Sequence, residues 1–245
     1  MKQVYEASQN HSKIGIIGGL GPLATVEFQK IFFNIFKARF NPKSDQEYPE
    51  MIVIQGCKTP DRTTHILDET KPDPTPDLQK SLSMLEQMGC SLIVIPCNTA
   101  HFFLDRLKKS EETEIVNIIK QAAIICKEKG YNSPLLLATA GTIKCGIYEK
   151  FFTEQGVKLM LPSQPNIDAT MQVIYGKGGV KAGFVDENNQ HRLAEIVKFY
   201  PEADCVILGC TELPLVAQKI EKPTIDPMCA AAVALIEIVA FNFKT

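Results

Sequence analysis

The chain reads as an α/β protein built from two similar halves, each around a parallel sheet. Short apolar runs of β type alternate with helical stretches along all 245 residues, the pattern of parallel strands joined by right-handed crossovers. The runs are continuously apolar rather than alternating, as strands covered on both faces are. Two segments nearly repeat each other: Ser91-Leu-Ile-Val-Ile-Pro-Cys97-Asn-Thr99 and Asp204-Cys-Val-Ile-Leu-Gly-Cys210-Thr-Glu212. They lie about half a chain length apart, which suggests two halves facing each other with one thiol from each at a shared cleft.

Each element follows from local residues. Lys13–Gly18 predicts a buried strand that enters Gly18-Gly-Leu-Gly21-Pro22 and then a helix to about Arg39. Pro22 suits the first helical turn, where its missing N–H has no partner to lose. Phe28, Ile31, Phe32, Phe33, Ile35 and Phe36 cover more than one stripe of that helix, so it is either sandwiched in a core or packed in part on a second subunit. Residues 41–50 are polar and form a loop, and Met51–Gly56 is the second strand. The proline-rich stretch Thr59–Asp77 is a loop that ends at Asp77, a good N-cap. The following helix carries Leu78, Leu82, Leu85 and Met88 on one face and stops at Gly89. Ser91–Ile95 is the third strand, followed by Cys97 and a helix. Glu114–Ile118 is a short fourth strand, with a helix over Ile119–Lys129 closed by Gly130.

The order then repeats. Pro134–Thr139 is a strand leading into Ala140-Gly-Thr142, with a helix at Tyr148–Gln155 and a strand at Val157–Leu161. Ile167–Tyr175 and Gln190–Phe199 are helical, Asp204–Leu208 is the strand that delivers Cys210, and Pro223–Asp226 is a short strand. Asp226-Pro227 caps a final helix ending near Phe243. Ligands of such sheets bind at the carboxyl ends of the strands, where Gly18–Gly21, Cys97–Thr99, Thr139–Thr142 and Cys210–Glu212 all fall.

Composition excludes several classes. The chain is 45% hydrophobic and 22% charged, ordinary for a globular protein, and its net charge of −2 provides no basic field for nucleic acid. No apolar run reaches the length of a membrane span, and the polar stretch Met1–Lys13 has no signal-peptide core, so a cytoplasmic location is expected. The eight cysteines form no Cys-x-x-Cys pair and no zinc-type spacing with histidine, so no metal is expected. Most should be small buried hydrophobes; those at strand ends are candidates for chemistry.

Cys97 and Cys210 are the leading candidates. Each follows a strand where a helix is about to begin, a place where backbone N–H groups and the helix dipole should lower a thiol's pKa. Opposed thiols can take a proton from one face of a carbon and return one to the other face, which is racemisation without a cofactor. Asn98, Thr99 and Thr211 are natural caps, and the same groups can hold a substrate carboxylate. Gly19-Leu-Gly21-Pro-Leu-Ala24 fits a dinucleotide pattern, but no acidic residue closes the second strand, so a tight turn near a small anion is preferred. Arg62, in Pro60-Asp61-Arg62-Thr63, can grip a carboxylate in a forked contact or pair with Asp61. Lys177 and Lys181 flank a glycine pair and can neutralise a carboxylate or stay solvated, and a pyridoxal-type Schiff base on such a lysine would leave the paired cysteines without a purpose. His101 can act as a proton partner or pack structurally, and Glu212 can bond across the site or pair with a helix start.

Gly18-Gly-Leu-Gly-Pro-Leu-Ala-Thr25, Pro96-Cys-Asn-Thr-Ala-His101 and Gly209-Cys-Thr-Glu-Leu-Pro214 together resemble the aspartate/glutamate racemase family, and its aspartate branch most. The resemblance runs from about residue 13 to 230. It implies two α/β domains related by a pseudo-twofold, an active site in the cleft between them, a homodimer, and neither pyridoxal phosphate nor metal. The expected division is residues 1–116, joined by the C-terminal helix 228–245, and residues 117–227. By position, Cys97 and Cys210 would be the acid/base thiols. Asn98, Thr99, Thr142 and Thr211 would hold the α-carboxylate, and Arg62 and Lys181 would bind the distal carboxylate or stabilise charge. Gly21, Asp61, His101 and Glu212 would support them. Glu212, where the glutamate branch usually has His, and the Pro-Cys-Asn-Thr-Ala-His wording imply aspartate as the substrate; Leu20 stands where Met is common. Alternatives are a broad-specificity aspartate/glutamate racemase, a maleate-isomerase-type enzyme, and a non-catalytic amino-acid-binding module.

Overall fold

The structure, a computed structural model, describes residues 13–242, with side chains to Ala240. The polar N-terminal stretch before Lys13 and the expected helix end at Phe243 lie outside the described residues.

Strands β1 (Lys13–Gly18), β2 (Glu50–Gln55), β3 (Leu92–Val94) and β4 (Glu114–Val116) form a parallel sheet in the order β2-β1-β3-β4. β5 (Leu135–Ala138), β6 (Val206–Gly209) and β7 (Thr224–Ile225) form a second parallel sheet in that order. Ile16 sits opposite Val53 on one side and Val94 on the other, and Leu137 opposite Leu208. The first sheet reverses its strand order between β1 and β3, so the loops after those strands border the crevice where ligands of such sheets bind.

The helices divide between an inner layer and two outer ones. α1 (Pro22–Phe40), α4 (Ile118–Glu128), α6 (Ile147–Glu154) and α9 (Pro227–Asn242) share one core with the inner faces of both sheets: Ile14, Ile16, Leu92 and Val94 from the first, Leu136, Ala138 and Ile207 from the second. Phe28, Phe32, Tyr148, Phe152, Leu235 and Ile236 fill it without solvent contact. Each such side chain contributes roughly 2 kcal/mol of burial free energy. α9 packs on both α1 and α4. The alternate residues Ile17, Ile93 and Ile95 face α3 (Thr75–Gln87) through Leu78, Leu82 and Leu85. Leu135, Leu137, Val206 and Leu208 face α7 (Gln164–Tyr175) and α8 (Glu187–Lys198). Two-sided cover is why these strands read as unbroken apolar runs. On α1, Phe28, Phe32 and Phe36 are buried, while Leu23 and Val26 stay exposed.

The halves also meet at the rim of the sheets. α2 (Arg62–Leu67) packs on α5 (Ala140–Lys144), and a Cβ placed on Gly141 would come within 2.9 Å of the Thr63 Cα. Only a glycine lets these backbones approach so closely.

Some elements differ from those expected. The stretch read as a loop from Thr59 contains α2, a short helix that Asp61 caps by accepting the Thr64 N–H at 2.8 Å. α3 begins at Thr75, and Met88 lies at its end, exposed rather than on the buried face. Val157–Leu161 forms a single parallel bridge, Leu135 with Met160, in place of a strand. After Cys97 and Cys210 come 3-10 helices, Thr99–Arg106 and Leu213–Val216, instead of α-helices.

Candidate active site

The loops after β3 and β6 bring Cys97 and Cys210 to one chamber, although they lie in separate sheets. Leu20, Arg62, Thr63, Asn98, Thr99, Thr139, Tyr175, Lys181, Thr211 and Glu212 complete its lining. About 10 Å³ is free inside, room for one water. Outside it lies a wider cleft of about 260 Å³, bordered by Gly19–Leu23, Asp61 and Val180. Leu20, Arg62, Lys181 and Glu212 line both spaces and so form the wall between them.

The two thiols have different surroundings. Cys97 and Cys210 are 7% and 6% exposed, so access does not distinguish them. Cys210 Sγ donates to Glu212 Oε2 at 3.0 Å. Burial first, and then the Glu212 carboxylate, push the Cys210 thiol well above its ordinary range. That reverses the lowered pKa expected from a helix N-terminus. The residues after Cys210 form only a short 3-10 turn, whose dipole is too small to offset a buried neighbouring carboxylate. Cys97 instead faces a cation. Burial works against the Arg62 guanidinium, but Cys97 and Asp61 outweigh it and hold Arg62 above its usual value.

Both basic residues are already engaged. Arg62 is buried, and its Nη1 donates to Pro60 O at 3.0 Å while Nη2 donates to Leu20 O. Its Nε is buried with no partner. The alternative pairing with Asp61 is not made: Asp61 accepts from the Thr64 hydroxyl at 2.9 Å and the Tyr175 hydroxyl at 3.0 Å, at the edge of the outer cleft. Burial works to raise the Asp61 carboxyl, but the Thr64 amide and Arg62 outweigh it and leave it below its ordinary value. Lys181 Nζ pairs with Glu212 Oε1 at 2.8 Å. Burial disfavours its charge, and Glu212 and Cys210 more than compensate, so Lys181 stays a cation. Glu212 Oε2 also accepts from the Thr211 hydroxyl at 3.2 Å. Glu212 Oε1 lies against Gly21, where a Cβ would collide with it. Gly21 itself borders the outer cleft.

The remaining expected residues separate into those facing the chamber and those behind it. Asn98 lines it, but its side chain caps no helix: Oδ1 accepts from the Tyr148 hydroxyl at 2.6 Å and Nδ2 is buried without a partner. Thr142 is fully buried behind Thr99, their hydroxyls 2.8 Å apart, and it is Thr139 that lines the chamber. His101 is turned away. Its Nδ1 lies 2.9 Å from Cys97 O and its Nε2 accepts from Ile118 N at 3.3 Å. Burial lowers its pKa to about 4, so the ring is neutral and supports the Cys97 loop from behind. Lys177 is exposed and outside the chamber. Thr63 and Tyr175 reach the chamber from the loop-side helix α2 and the end of α7, neither of which is a strand terminus. Thr139 belongs to the same strand-end stretch, Thr139–Thr142, from which the family resemblance singled out Thr142 alone. Among the described residues, no cluster of three or more His, Cys, Asp or Glu could hold a metal ion, and no helix is long and apolar enough to cross a membrane.

Arg62 and Asn98, which line the chamber together with Lys181, each carry one buried N–H donor without a partner, Arg62 Nε and Asn98 Nδ2. Unpaired buried donors are costly. The family model for Asp/Glu/hydantoin racemases matches residues 17–235. The chain belongs to this family. A broad specificity amino-acid racemase, RacX of Bacillus subtilis (strain 168), is 26% identical over 232 residues, 89% of this chain and 94% of that one. The glutamate racemase of Aquifex pyrophilus is 29% identical over 141 residues, 56% of this chain and 52% of that one. Among solved structures, the Picrophilus torridus aspartate racemase superposes with a TM-score of 0.78 at 25% identity, covering 94% of each chain. The Picrophilus structure therefore shares the fold described above over most of its length.

Proposed function

We propose that this racemase-family protein is a cofactor-independent, cytoplasmic enzyme that interconverts the enantiomers of an acidic amino acid, aspartate first, by proton transfer between Cys97 and Cys210. The observation that carries the reading is that both cysteines line one buried chamber together with the cations Arg62 and Lys181. One thiolate takes the α-proton, and the electron pair of the C–H bond moves into the α-carboxylate as an enolate. The other thiol then donates its proton to the opposite face of the same carbon. Asn98 Nδ2, Thr99 and Thr211 supply donors to the α-carboxylate, where charge accumulates, and preorganised donors there are the main source of stabilisation.

For the distal carboxylate, Lys181 is the partner, and it must loosen its pair with Glu212. Arg62 must likewise release a backbone carbonyl before it can fork onto a carboxylate. Aspartate is preferred over glutamate because the chamber is small and the shorter side chain asks for less displacement of its wall. A broad-specificity enzyme is the second reading, favoured by the broad specificity racemase relative. The proposal includes a homodimer and the division at residue 116/117.

The test is proton NMR of L-aspartate and L-glutamate with the protein in deuterated water. Loss of the α-proton signal together with appearance of the D-enantiomer is expected, faster for aspartate. Binding without exchange would leave an amino-acid-binding module instead, and a mass increase on the protein would point to thioether chemistry of the maleate type.

A further inference from the structure

We propose that Tyr148 is a positioning residue that orients the Asn98 amide for the substrate from the other half of the molecule. The inference rests on the racemase reading above. Tyr148 lies on α6 and is fully buried in the core shared by the two sheets, its ring 5.8 Å from that of Phe152. Its hydroxyl donates to Asn98 Oδ1 at 2.6 Å and to no other group. Asn98 is 2% exposed and lines the chamber beside Cys97. An Asn amide has two nearly isosteric orientations, and the hydrogen bonds around it select one. With Oδ1 held by a hydroxyl that can donate, Nδ2 is the end left without a partner. In this arrangement that end is free to donate to an oxygen in the chamber.

Two features make Tyr148 suited to this task. Burial first, with Asp226 and Cys210 adding to it, keeps the phenol far above its ordinary pKa, so it is a permanent donor across the working pH range. The ring is wedged in the core, so the hydroxyl and the amide it holds have little freedom to move. The amide is thereby kept beside Cys97 in the chamber wall, and the contribution of Tyr148 should appear where charge develops, in kcat, more than in ground-state binding.

Tyr148→Phe removes the hydroxyl and keeps the ring. The expected result is a fall in kcat of about tenfold or more with KM for aspartate changed less than about threefold. In an Asn98→Ala background, where kcat is already low, Tyr148→Phe should add less than about twofold, because it acts only through the amide. Full kcat in Tyr148→Phe, or the same loss in both backgrounds, overturns the inference. A measurement on the wild-type protein covers the case in which Tyr148→Phe does not fold. The Asn98 side-chain amide protons, observed by nitrogen-15 NMR, should move downfield on saturation with succinate as a carboxylate probe, and no movement overturns the inference. Wild-type exchange is measured first. Absence of α-proton exchange with aspartate overturns the racemase reading and this inference with it, whereas exchange unaffected by Tyr148→Phe overturns this inference alone.

Discussion

The Thr63 hydroxyl donates to the Thr139 hydroxyl at 2.9 Å, and this bond ties α2 of the first half to the end of β5 in the second. Thr99 and Thr142 continue it, with oxygen contacts of 2.8 to 3.3 Å among Thr99, Thr139 and Thr142. The floor of the chamber is therefore a hydroxyl network shared by both halves. Hydroxyls both donate and accept, so the network can reorient toward a bound carboxylate without leaving any member unpaired.

Replacing either Cys97 or Cys210 by Ser should lower racemisation by about 10²- to 10⁴-fold, the usual weight of a general acid or base. Optical rotation of aspartate over time checks this. Near-normal turnover in either variant is incompatible with a two-thiol scheme.

Glu212→Gln removes the charge beside the Cys210 sulfur and releases Lys181, and both changes favour the thiolate. At a fixed pH near neutrality, alkylation of Cys210 by iodoacetamide should accelerate by about threefold to tenfold, read by peptide mass mapping. An unchanged rate would mean that burial alone holds this thiol protonated.

Stability should vary little with pH between about 4 and 6.5, because two buried groups oppose each other. Burial depresses His101 to about 4 from the ordinary 6.5, so the unfolded chain binds the extra proton and stability falls as pH drops through that window. Burial raises Asp226 to about 6 from 3.8, so here the folded chain holds the proton and stability rises as pH drops. Asp226→Asn should expose the His101 slope, up to about 3 kcal/mol between pH 4 and pH 6.5. Urea unfolding of wild type and variant at the two ends of the window decides this, and parallel profiles would contradict it.

Gly141→Ala forces a methyl group toward the Thr63 backbone, 2.9 Å away. The strain should cost about 1–3 kcal/mol. For a chain of this size that is a fall in Tm of several degrees by calorimetry, and an unchanged Tm would show that the contact between the halves yields easily.

The sheets were legible because a strand covered on both faces must be apolar throughout: Lys13–Gly18 is observed with the bounds its residues predict. Val157–Leu161 was not, because Met160 alone forms a ladder bridge with β5 while Lys158 and Leu161 face solvent. α2 was hidden by the prolines around it, although Asp61 three residues before Thr64 is a readable cap. Cys97, Cys210, Asn98, Thr99 and Thr211 could be placed at the rim because each directly follows a strand. Thr63, Tyr175 and Tyr148 could not, since they reach the chamber or its lining through contacts between the halves that no local pattern encodes. The opposite environments of the two thiols were also invisible, because they depend on which way Glu212 and Arg62 turn.

α9 closes the core that both sheets share, yet it is the last described element to leave the ribosome. Until it emerges, the phenylalanines of α1 lack part of their cover, and nascent chains carry a sticky surface late into their synthesis. The first half should therefore not mature alone. It should wait, chaperone-bound or loosely collapsed, for the tail of the chain to arrive and complete both lobes in one cooperative step.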